Sequence, residues 1–483
     1  MTTEQSLVEL FDATFTPAAN LAVMPILVLA GGILLYLLCD MVDSLRVVKP
    51  AAFCGTIVAT FFAHVNLGWF AEEVPGTVLQ GTFTADRETA LWGCLFLLGT
   101  LFAWVYRVGY YKQNAPFQGE HDVLFLAACC GMHLMVGAED LIPFFVGLEL
   151  LSLPLYCLAA FRRARLDSVE AGLKYFLLGS FSSAMFLYGA GLLYTATGSL
   201  NVGVLIAHEP TTLSIVGGAL VVASLLFKVS VFPFHLWVPD VYQGSPTPVT
   251  AFMATGTKAA AFAFLIRISG VLPETAIGVV AGIALVTLAV GNLAALGQAN
   301  LKRMLAYSGV AHAGTLLFLV VAVRAGVTEG VAQEAALFYM LAYLVSAMGA
   351  FGILSLLEAD GERYARIESI RGLGRSRPVL CLAFGLFMLS LGGIPATGGF
   401  LGKWFVFSTL VQADMVPLAI CGALFSVIAL AYYLRVIIAM FMEEAPAGPA
   451  STAMRTPAIV ATAACALLVV LTGVLPGLWL DLL

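Results

Sequence analysis

The sequence predicts an all-α, polytopic membrane protein with fourteen transmembrane helices. Of its 483 residues, 61% are hydrophobic and only 11% are charged, a composition far from that of soluble globular proteins. The apolar residues gather into runs of about 20, the length at which an α-helix crosses ~30 Å of hydrocarbon. The loops between these runs are short, so the sequence predicts no soluble domain.

The fourteen predicted helices follow one another along the whole chain. They lie near residues 20–41 (α1), 50–71 (α2), 89–110 (α3), 121–138 (α4), 141–161 (α5), 171–196 (α6), 213–237 (α7), 246–271 (α8), 275–297 (α9), 303–324 (α10), 333–357 (α11), 378–410 (α12), 415–441 (α13) and 456–480 (α14).

Basic residues concentrate in the loops that follow odd-numbered helices. These are Arg46, Lys49, Arg107, Lys112, Arg162, Arg163, Arg165, Lys302, Arg303, Arg363, Arg366, Arg371, Arg375 and Arg377. The loops after even-numbered helices hold few basic residues beyond Arg87 and Arg324. They are marked instead by Glu72, Glu73, Asp86, Glu139, Asp140, Glu209, Glu274 and Asp414. Loops rich in Lys and Arg stay in the cytoplasm. We therefore expect a multi-pass protein of a bacterial inner membrane with both termini in the periplasm.

Two of the predicted helices, the seventh and the twelfth, contain helix-breaking residues. In α7, Lys228 is followed by VSVFPFHLW, where Pro233 removes a backbone hydrogen bond. In α12, the sequence GGIPATGGFLGKW places glycines and a proline just before Lys403. A broken helix at membrane depth is tolerated where it is buried in protein or lines a wet cavity. Paired broken helices in two halves of a chain indicate inverted repeats around a transport path.

Four ionisable residues lie inside long apolar runs: Glu149 in α5, Lys228 in α7, Lys258 in α8 and Lys403 in α12. Such groups are rare in lipid-spanning segments unless they move ions or pair inside the bundle. If Glu149 approaches Lys228, the pair holds the lysine proton, and withdrawal of the glutamate releases that proton toward Lys258. The pattern therefore predicts an electrostatically switched proton relay.

Other interpretations of these residues stay open at this stage. A buried pair such as Glu149 and Lys228 can simply fix helix register. His235 and His312 could relay protons or serve as packing residues. The nine cysteines show no CxxC or Cys/His spacing that would hold zinc or an iron–sulfur cluster, so we predict no metal site of these kinds in this chain. The net charge of −6 gives no reason to expect a nucleic-acid partner.

Four runs of the sequence resemble the antiporter-like subunits of respiratory complex I, the proton-translocating NADH:quinone oxidoreductase. They are GLELLSLPLYCLAAFRR, FKVSVFPFHLWVPDVYQGSPTPVTAFMATGTKAAAFAFLIR, NLKRMLAYSGVAHAG and GGIPATGGFLGKW. The stretch PDVYQGSPTPVTAFMATGTKAA is similar to the N branch of that family, since the M and L branches typically have PDAH followed by EAPT. Lys403 also fits the N branch, because the M branch usually has a glutamate there. The resemblance covers roughly residues 90–441.

This resemblance implies two inverted five-helix repeats, α4–α8 in residues 121–271 and α9–α13 in residues 272–441. They follow an N-terminal unit, residues 1–120, and precede a C-terminal unit, residues 442–483. The resemblance also implies roles: Glu149 modulates Lys228, Lys228 pumps, Lys258 connects, and Lys403 lies toward the exit half. His312 matches a histidine of the family motif AYSSIAHAG, which reads AYSGVAHAG here, with Gly309 in place of a serine.

By the same resemblance, the chain is a proton-translocating translocase subunit coupled to quinone reduction elsewhere. Flavin, iron–sulfur clusters and quinone are expected in other subunits, and the expected partners are a neighbouring antiporter-like subunit, small hydrophobic subunits and membrane lipid. Two alternatives stay open. One is a subunit of a multi-subunit cation/proton antiporter or of a membrane-bound hydrogenase, and the other is a structural spacer whose charges hold helices together.

Overall fold

The computed structural model describes residues 17–66, 77–110, 119–358, 365–444 and 456–480, and within these it is nearly all helical. A helix lies at each of the fourteen predicted positions. The bounds are Pro17–Met41 (α1), Lys49–Val65 (α2), Arg87–Tyr110 (α3), Gly119–Gly137 (α4), Leu141–Ala159 (α5), Leu166–Thr197 (α6), Thr212–Val229 (α7a), Trp237–Gly244 (α7b), Thr247–Ile268 (α8), Ile277–Leu296 (α9), Leu301–Arg324 (α10), Glu329–Glu358 (α11), Pro378–Gly392 (α12a), Gly398–Gln412 (α12b), Val416–Met442 (α13) and Thr456–Val474 (α14).

Short elements connect these helices. They are the helical turns Asp43–Val48, Val202–Ala207, Ser269–Val271, Glu274–Ala276, Ile367–Ile370, Leu373–Ser376 and Gly477–Leu480, and two antiparallel strands, Thr77–Val78 (β1) and Phe83–Thr84 (β2). The two-residue strands precede α3 and were not predicted, because they are too short to show an alternating pattern. Of the loop charges used above to predict orientation, Glu72, Glu73, Lys112 and Arg363 lie outside the described residues.

Twelve helices in the described part of the chain are long and apolar enough to cross a membrane. The exact number of fourteen crossings stays a prediction. α8, α10 and α11 form the centre of the bundle, and every residue of the apolar window in α8 is buried. In the outer helices α1 and α2 only 28% of the apolar window is buried, as expected for surfaces that face lipid or another subunit.

Helix pairing follows the same pattern in the two predicted repeats. α4 packs on α5 and α6 packs on α7a; in the second half, α9 packs on α10 and α11 packs on both parts of α12. The division into repeat units at residues 271 and 272 is itself a prediction. The matching neighbours place the two broken helices in equivalent surroundings.

Both predicted helix interruptions are confirmed. α7a ends at Val229, and Ser230 takes a left-handed conformation with φ 70° before the chain resumes as α7b. α12a ends at Gly392, and Gly393 has φ 84°, a conformation that glycine adopts without steric cost. Side chains of neighbouring segments satisfy freed backbone groups; for example, Thr287 Oγ1 accepts a hydrogen bond of 3.2 Å from the Phe232 N–H.

Candidate functional site

Lys228 lies at the last turn of α7a, just before the break, and its side chain is buried. Its Nζ donates to Ser152 Oγ at 2.8 Å and to the Tyr175 hydroxyl at 3.3 Å. Ser152 in turn donates to the carbonyl of Leu148 in its own helix, and Tyr175 stacks on Trp237 with ring centroids 4.5 Å apart. The Lys228 amine is therefore bound by two neutral oxygens, whose side chains are themselves held by a hydrogen bond and by ring stacking.

Glu149 is one turn before Ser152 on α5 and is half-buried. Its Oε1 accepts a hydrogen bond of 2.5 Å from Ser183 Oγ on α6. No ion pair joins Glu149 to Lys228, both of which the structure describes, although the two interact electrostatically at longer range. The Glu149 carboxylate thus influences the Lys228 amine electrostatically while it is itself hydrogen-bonded to Ser183 on α6.

Lys258 lies in the middle of α8 and is 1% exposed. Its Nζ donates to the backbone carbonyl of Gly309 on α10 at 2.6 Å. A Cβ at position 309 would lie 2.8 Å from this Nζ and 3.1 Å from the Tyr343 hydroxyl. Glycine at this position therefore lets the lysine amine reach the backbone of α10.

His312 is one turn further along α10 and is also buried. Its Nδ1 is 2.6 Å from the Tyr339 hydroxyl and its Nε2 is 3.3 Å from the Tyr433 hydroxyl. The Tyr433 hydroxyl also lies 2.5 Å from Ser308 Oγ. Both ring nitrogens thus contact groups that can donate or accept a proton, as a relay requires.

Lys403 lies on α12b and reaches back across the break. Its Nζ donates to the carbonyl of Gly392, the last residue of α12a, at 2.9 Å. This places a basic group at a helix C-terminus, where the helix dipole favours positive charge. A Cβ at Gly393 would lie 2.9 Å from Lys403 Cδ, so the second glycine of the break also makes room for the lysine.

Two small cavities adjoin His312, each of about 10 Å³. One is also lined by Lys403, and the other by Ser346 and Ser390. A cavity needs roughly 10–15 Å³ to hold one water with polar partners. His312 also interacts electrostatically with both Lys258 and Lys403. The structure therefore brings these three predicted residues into one cluster with space for about one water on each side.

Tyr242 on α7b lies between this cluster and Lys228. It is fully buried, and its hydroxyl has no hydrogen-bond partner among the described residues. It interacts electrostatically with Tyr175, which contacts Lys228, and with Tyr343, which lies beside the amine of Lys258. A buried hydroxyl without a protein partner indicates a water site.

His235 is the predicted residue that the structure leaves apart from the others. It lies in the break of α7, where its ring packs against Phe232 with centroids 5.7 Å apart. It is buried, and within the described chain its Nδ1 has no hydrogen-bond partner. No contact joins it to the described lysines, so a role for His235 stays a prediction.

Comparisons with known proteins identify the family. A family profile described as NADH:quinone oxidoreductase/Mrp antiporter, TM, matches residues 138–429. NADH-quinone oxidoreductase subunit N 1 of Sorangium cellulosum is 40% identical over 454 residues, which cover 90% of this chain and 87% of that relative. A chain in the structure of respiratory complex I from Thermus thermophilus with bound aureothin is 36% identical, with a TM-score of 0.80, and the match covers 95% of this chain and 98% of that one.

The chain belongs to the subunit N family of NADH-quinone oxidoreductase. The resemblance drawn from four sequence runs is thereby confirmed, including its N branch. Members of the subunit N family are membrane subunits of a multi-subunit complex, so this chain is a multi-pass subunit of such a complex. A chain of the Mrp complex from Dietzia sp. DQ12-45-1b has a TM-score of 0.79 at 21% identity, covering 97% of this chain and 96% of that chain. That likeness shows a shared fold alone.

Sequence analysis missed the hydroxyl groups that surround the predicted residues in this subunit N family member. These are Ser152, Tyr175, Ser183, Tyr242, Tyr339, Tyr343 and Tyr433. The spacing between Glu149 and Ser152, one helical turn, was the available signal, because residues three apart share a helix face. Among the described residues, no group of three or more His, Cys, Asp or Glu side chains is arranged to hold a metal ion.

Proposed function

We propose that this chain is a proton-translocating membrane-arm subunit of NADH:quinone oxidoreductase, and that protons move along a path through Lys228, Tyr242, Lys258, His312 and Lys403. One observation carries the assignment of the path. In the part of the chain that the structure describes, the three lysines on this path are buried in the bundle, and none of them forms an ion pair.

The lack of an ion-pair partner for these three lysines among the described residues favours a role in transport over a purely structural role. A buried charge without a partner is costly, and residues that only fix helix register are expected to be paired. Amines held by neutral hydroxyl and carbonyl oxygens have no carboxylate that would fix the extra proton. Such groups suit a site that loads and unloads protons.

Glu149 acts as the switch for the first lysine in this proposal. While Ser183 holds the carboxylate, Lys228 has only neutral partners and releases its proton toward Tyr242. When the carboxylate leaves Ser183 and turns to Lys228, the pair retains the proton. The two residues already interact electrostatically in the structure.

The second half of the path works by repulsion between like charges. A proton that reaches Lys258 raises the cost of a second positive charge on Lys403, since both interact electrostatically with His312. His312 and its two tyrosine partners provide the exchange between them. Proton arrival at Lys258 therefore favours proton loss from Lys403 toward the exit half.

The remaining assignments follow the same proposal. Flavin, iron–sulfur clusters and quinone belong to other subunits, and this chain contributes no redox centre. Its neighbours are another antiporter-like subunit and small hydrophobic subunits of the membrane arm. The chain lies in a bacterial inner membrane with both termini in the periplasm, and its repeat units are residues 121–271 and 272–441.

Purification of the tagged chain from its native membrane in mild detergent tests this proposal. We expect the eluate to contain flavin and iron–sulfur signals and to oxidise NADH in a quinone-dependent reaction. An eluate that holds only hydrophobic subunits and exchanges cations for protons in vesicles would contradict it. That result would favour the antiporter alternative, which the description of the matching family also names.

A further inference from the structure

A polar cavity of about 280 Å³ opens at one end of the bundle, beside α6, α7b and α10. Charged residues line its rim, and they pair with each other: Lys174 Nζ lies 2.7 Å from Glu170 and 2.8 Å from Asp240, and Arg303 binds the second oxygen of Asp240 at 2.5 Å. The cavity lies at the ends of α7b and α11 and the start of α10. This is the side of the Lys- and Arg-rich loops, which is predicted to be cytoplasmic.

Lys302 and Glu358 form the inner wall of this cavity and are both buried, at 5% and 8% exposure. Their charged atoms are 3.8 Å apart, which is too long for a hydrogen bond. Lys302 Nζ donates to the carbonyl of Ser245 at 2.8 Å. Glu358 Oε2 accepts hydrogen bonds from the hydroxyls of Thr247 and Tyr110. Glu358 is thus a buried carboxylate with the polar cavity on one side and hydroxyl groups on the other.

Helix α8 connects the surroundings of Glu358 with Lys258. Thr247, which binds Glu358, is the first residue of α8, and Lys258 lies eleven residues further along that helix, about 16 Å at 1.5 Å per residue. Tyr242 lies on this side of α8, with its ring packed against Phe351 of α11 at 6.4 Å between centroids. Its hydroxyl is the buried group without a partner among the described residues, and a water bound there would lie between Glu358 and the amine cluster.

We infer that Glu358 takes up protons from this cavity and passes them to water at Tyr242, where they join the path between Lys228 and Lys258. The inference rests on the proposed function and adds the group that loads the path. A hydronium ion in the cavity gives a proton to the Glu358 carboxylate and becomes water. The resulting carboxylic acid gives the proton through an inner water to the neutral amine of Lys258, which becomes an ammonium group, and the carboxylate is restored. Lys302 stabilises the emptied carboxylate. One proton moves inward, and no redox partner is needed.

Glu358→Gln in the intact complex, reconstituted into lipid vesicles, tests this assignment. We expect NADH-driven proton pumping and coupled quinone reduction to fall at least about threefold, because a positioned acid–base group commonly contributes far more than that to proton transfer. Glu368→Gln is the matched control: its carboxylate is exposed and pairs with Arg366 at 3.8 Å on the surface, so pumping stays at the wild-type rate. Glu358→Asp retains a carboxyl group and recovers part of the activity.

A second set of variants separates proton uptake from a structural role. If Glu358 only balanced the charge of Lys302, the double variant with Glu358→Gln and Lys302→Met would pump like the wild type. We expect the double variant to stay as slow as Glu358→Gln, with normal assembly on a native gel. Full pumping by Glu358→Gln, or by the double variant, overturns the inference.

The same assay distinguishes this inference from the proposed function. Lys228→Met removes a residue of the central path and is expected to abolish coupled pumping. If Lys228→Met is inactive while Glu358→Gln pumps normally, uptake through Glu358 is refuted and the central path stands. If both variants pump normally, the proposed path itself is refuted, and the uptake inference with it.

Discussion

Ser152→Ala is the substitution that tests the Lys228 site most sharply. It removes only the hydroxyl that accepts the shorter of the two recorded hydrogen bonds from Lys228 Nζ, 2.8 Å against 3.3 Å for Tyr175. The backbone, the lysine and Glu149 stay in place. A change in proton pumping would therefore report on how the amine is held.

The structure sets the size of the expected effect. A hydrogen bond to a charged group contributes about 1.5–3 kcal/mol, and about 1.4 kcal/mol is a factor of ten in an equilibrium constant. Loss of Ser152 would thus lower the equilibrium constant for protonation of Lys228 by about 10- to 150-fold. Tyr175 remains as a partner, so we expect the lower limit, a fall in coupled turnover of about tenfold.

The assay is quinone-dependent NADH oxidation together with dye-reported proton uptake in membrane vesicles that carry the variant complex. Ser269→Ala is a matched control, because this buried serine at the end of α8 donates to the carbonyl of Ile266 in its own helix. We expect the control to pump at the wild-type rate. Equal rates for Ser152→Ala and Ser269→Ala would refute the role given to the Lys228 hydrogen bond.

Three further predictions use the same assay. Glu149→Ala lowers coupled turnover more than Glu139→Ala, because Glu149 interacts with Lys228 whereas Glu139 forms an ion pair with Arg267. Equal losses of turnover would argue against the switch. His312→Asn lowers pumping at least about tenfold, because the shorter side chain loses contact with its tyrosine partners, and a wild-type rate would remove it from the path. A Cβ at position 309 would lie 2.8 Å from Lys258 Nζ, so Gly309→Ser displaces the amine from the Gly309 carbonyl and slows turnover. Unchanged turnover would show that this contact is dispensable.

Helix positions could be predicted from the sequence because the bilayer imposes a length and a composition on each segment. α6 shows where this signal ends: the structure starts it at Leu166, five residues before the predicted residue 171. Its first turns carry Glu170 and Lys174, which form an ion pair along the helix. Polar turns of this kind extend a helix beyond its apolar run, and hydropathy does not detect them.

The ionisable residues of the site could also be predicted, because a charge in an apolar run is conspicuous. Their partners could not, since serine and tyrosine are common in buried helices and their partners depend on packing between distant segments. Lys228 and Ser152 are 76 residues apart, and Tyr433 and His312 are 121 apart. The sequence offered Glu149 as a switchable neighbour of Lys228, and it gave no sign of Ser183, which holds the carboxylate in the structure.

The measurement that tests the central claim most directly is the number of protons pumped per NADH by the intact complex carrying Lys228→Met. If protons move through the buried lysines, the variant assembles at the wild-type level but loses coupled pumping. A variant that pumps the wild-type number of protons, or that changes only the assembly of the complex, would contradict the account. In that case Lys228 would hold helices together without carrying protons.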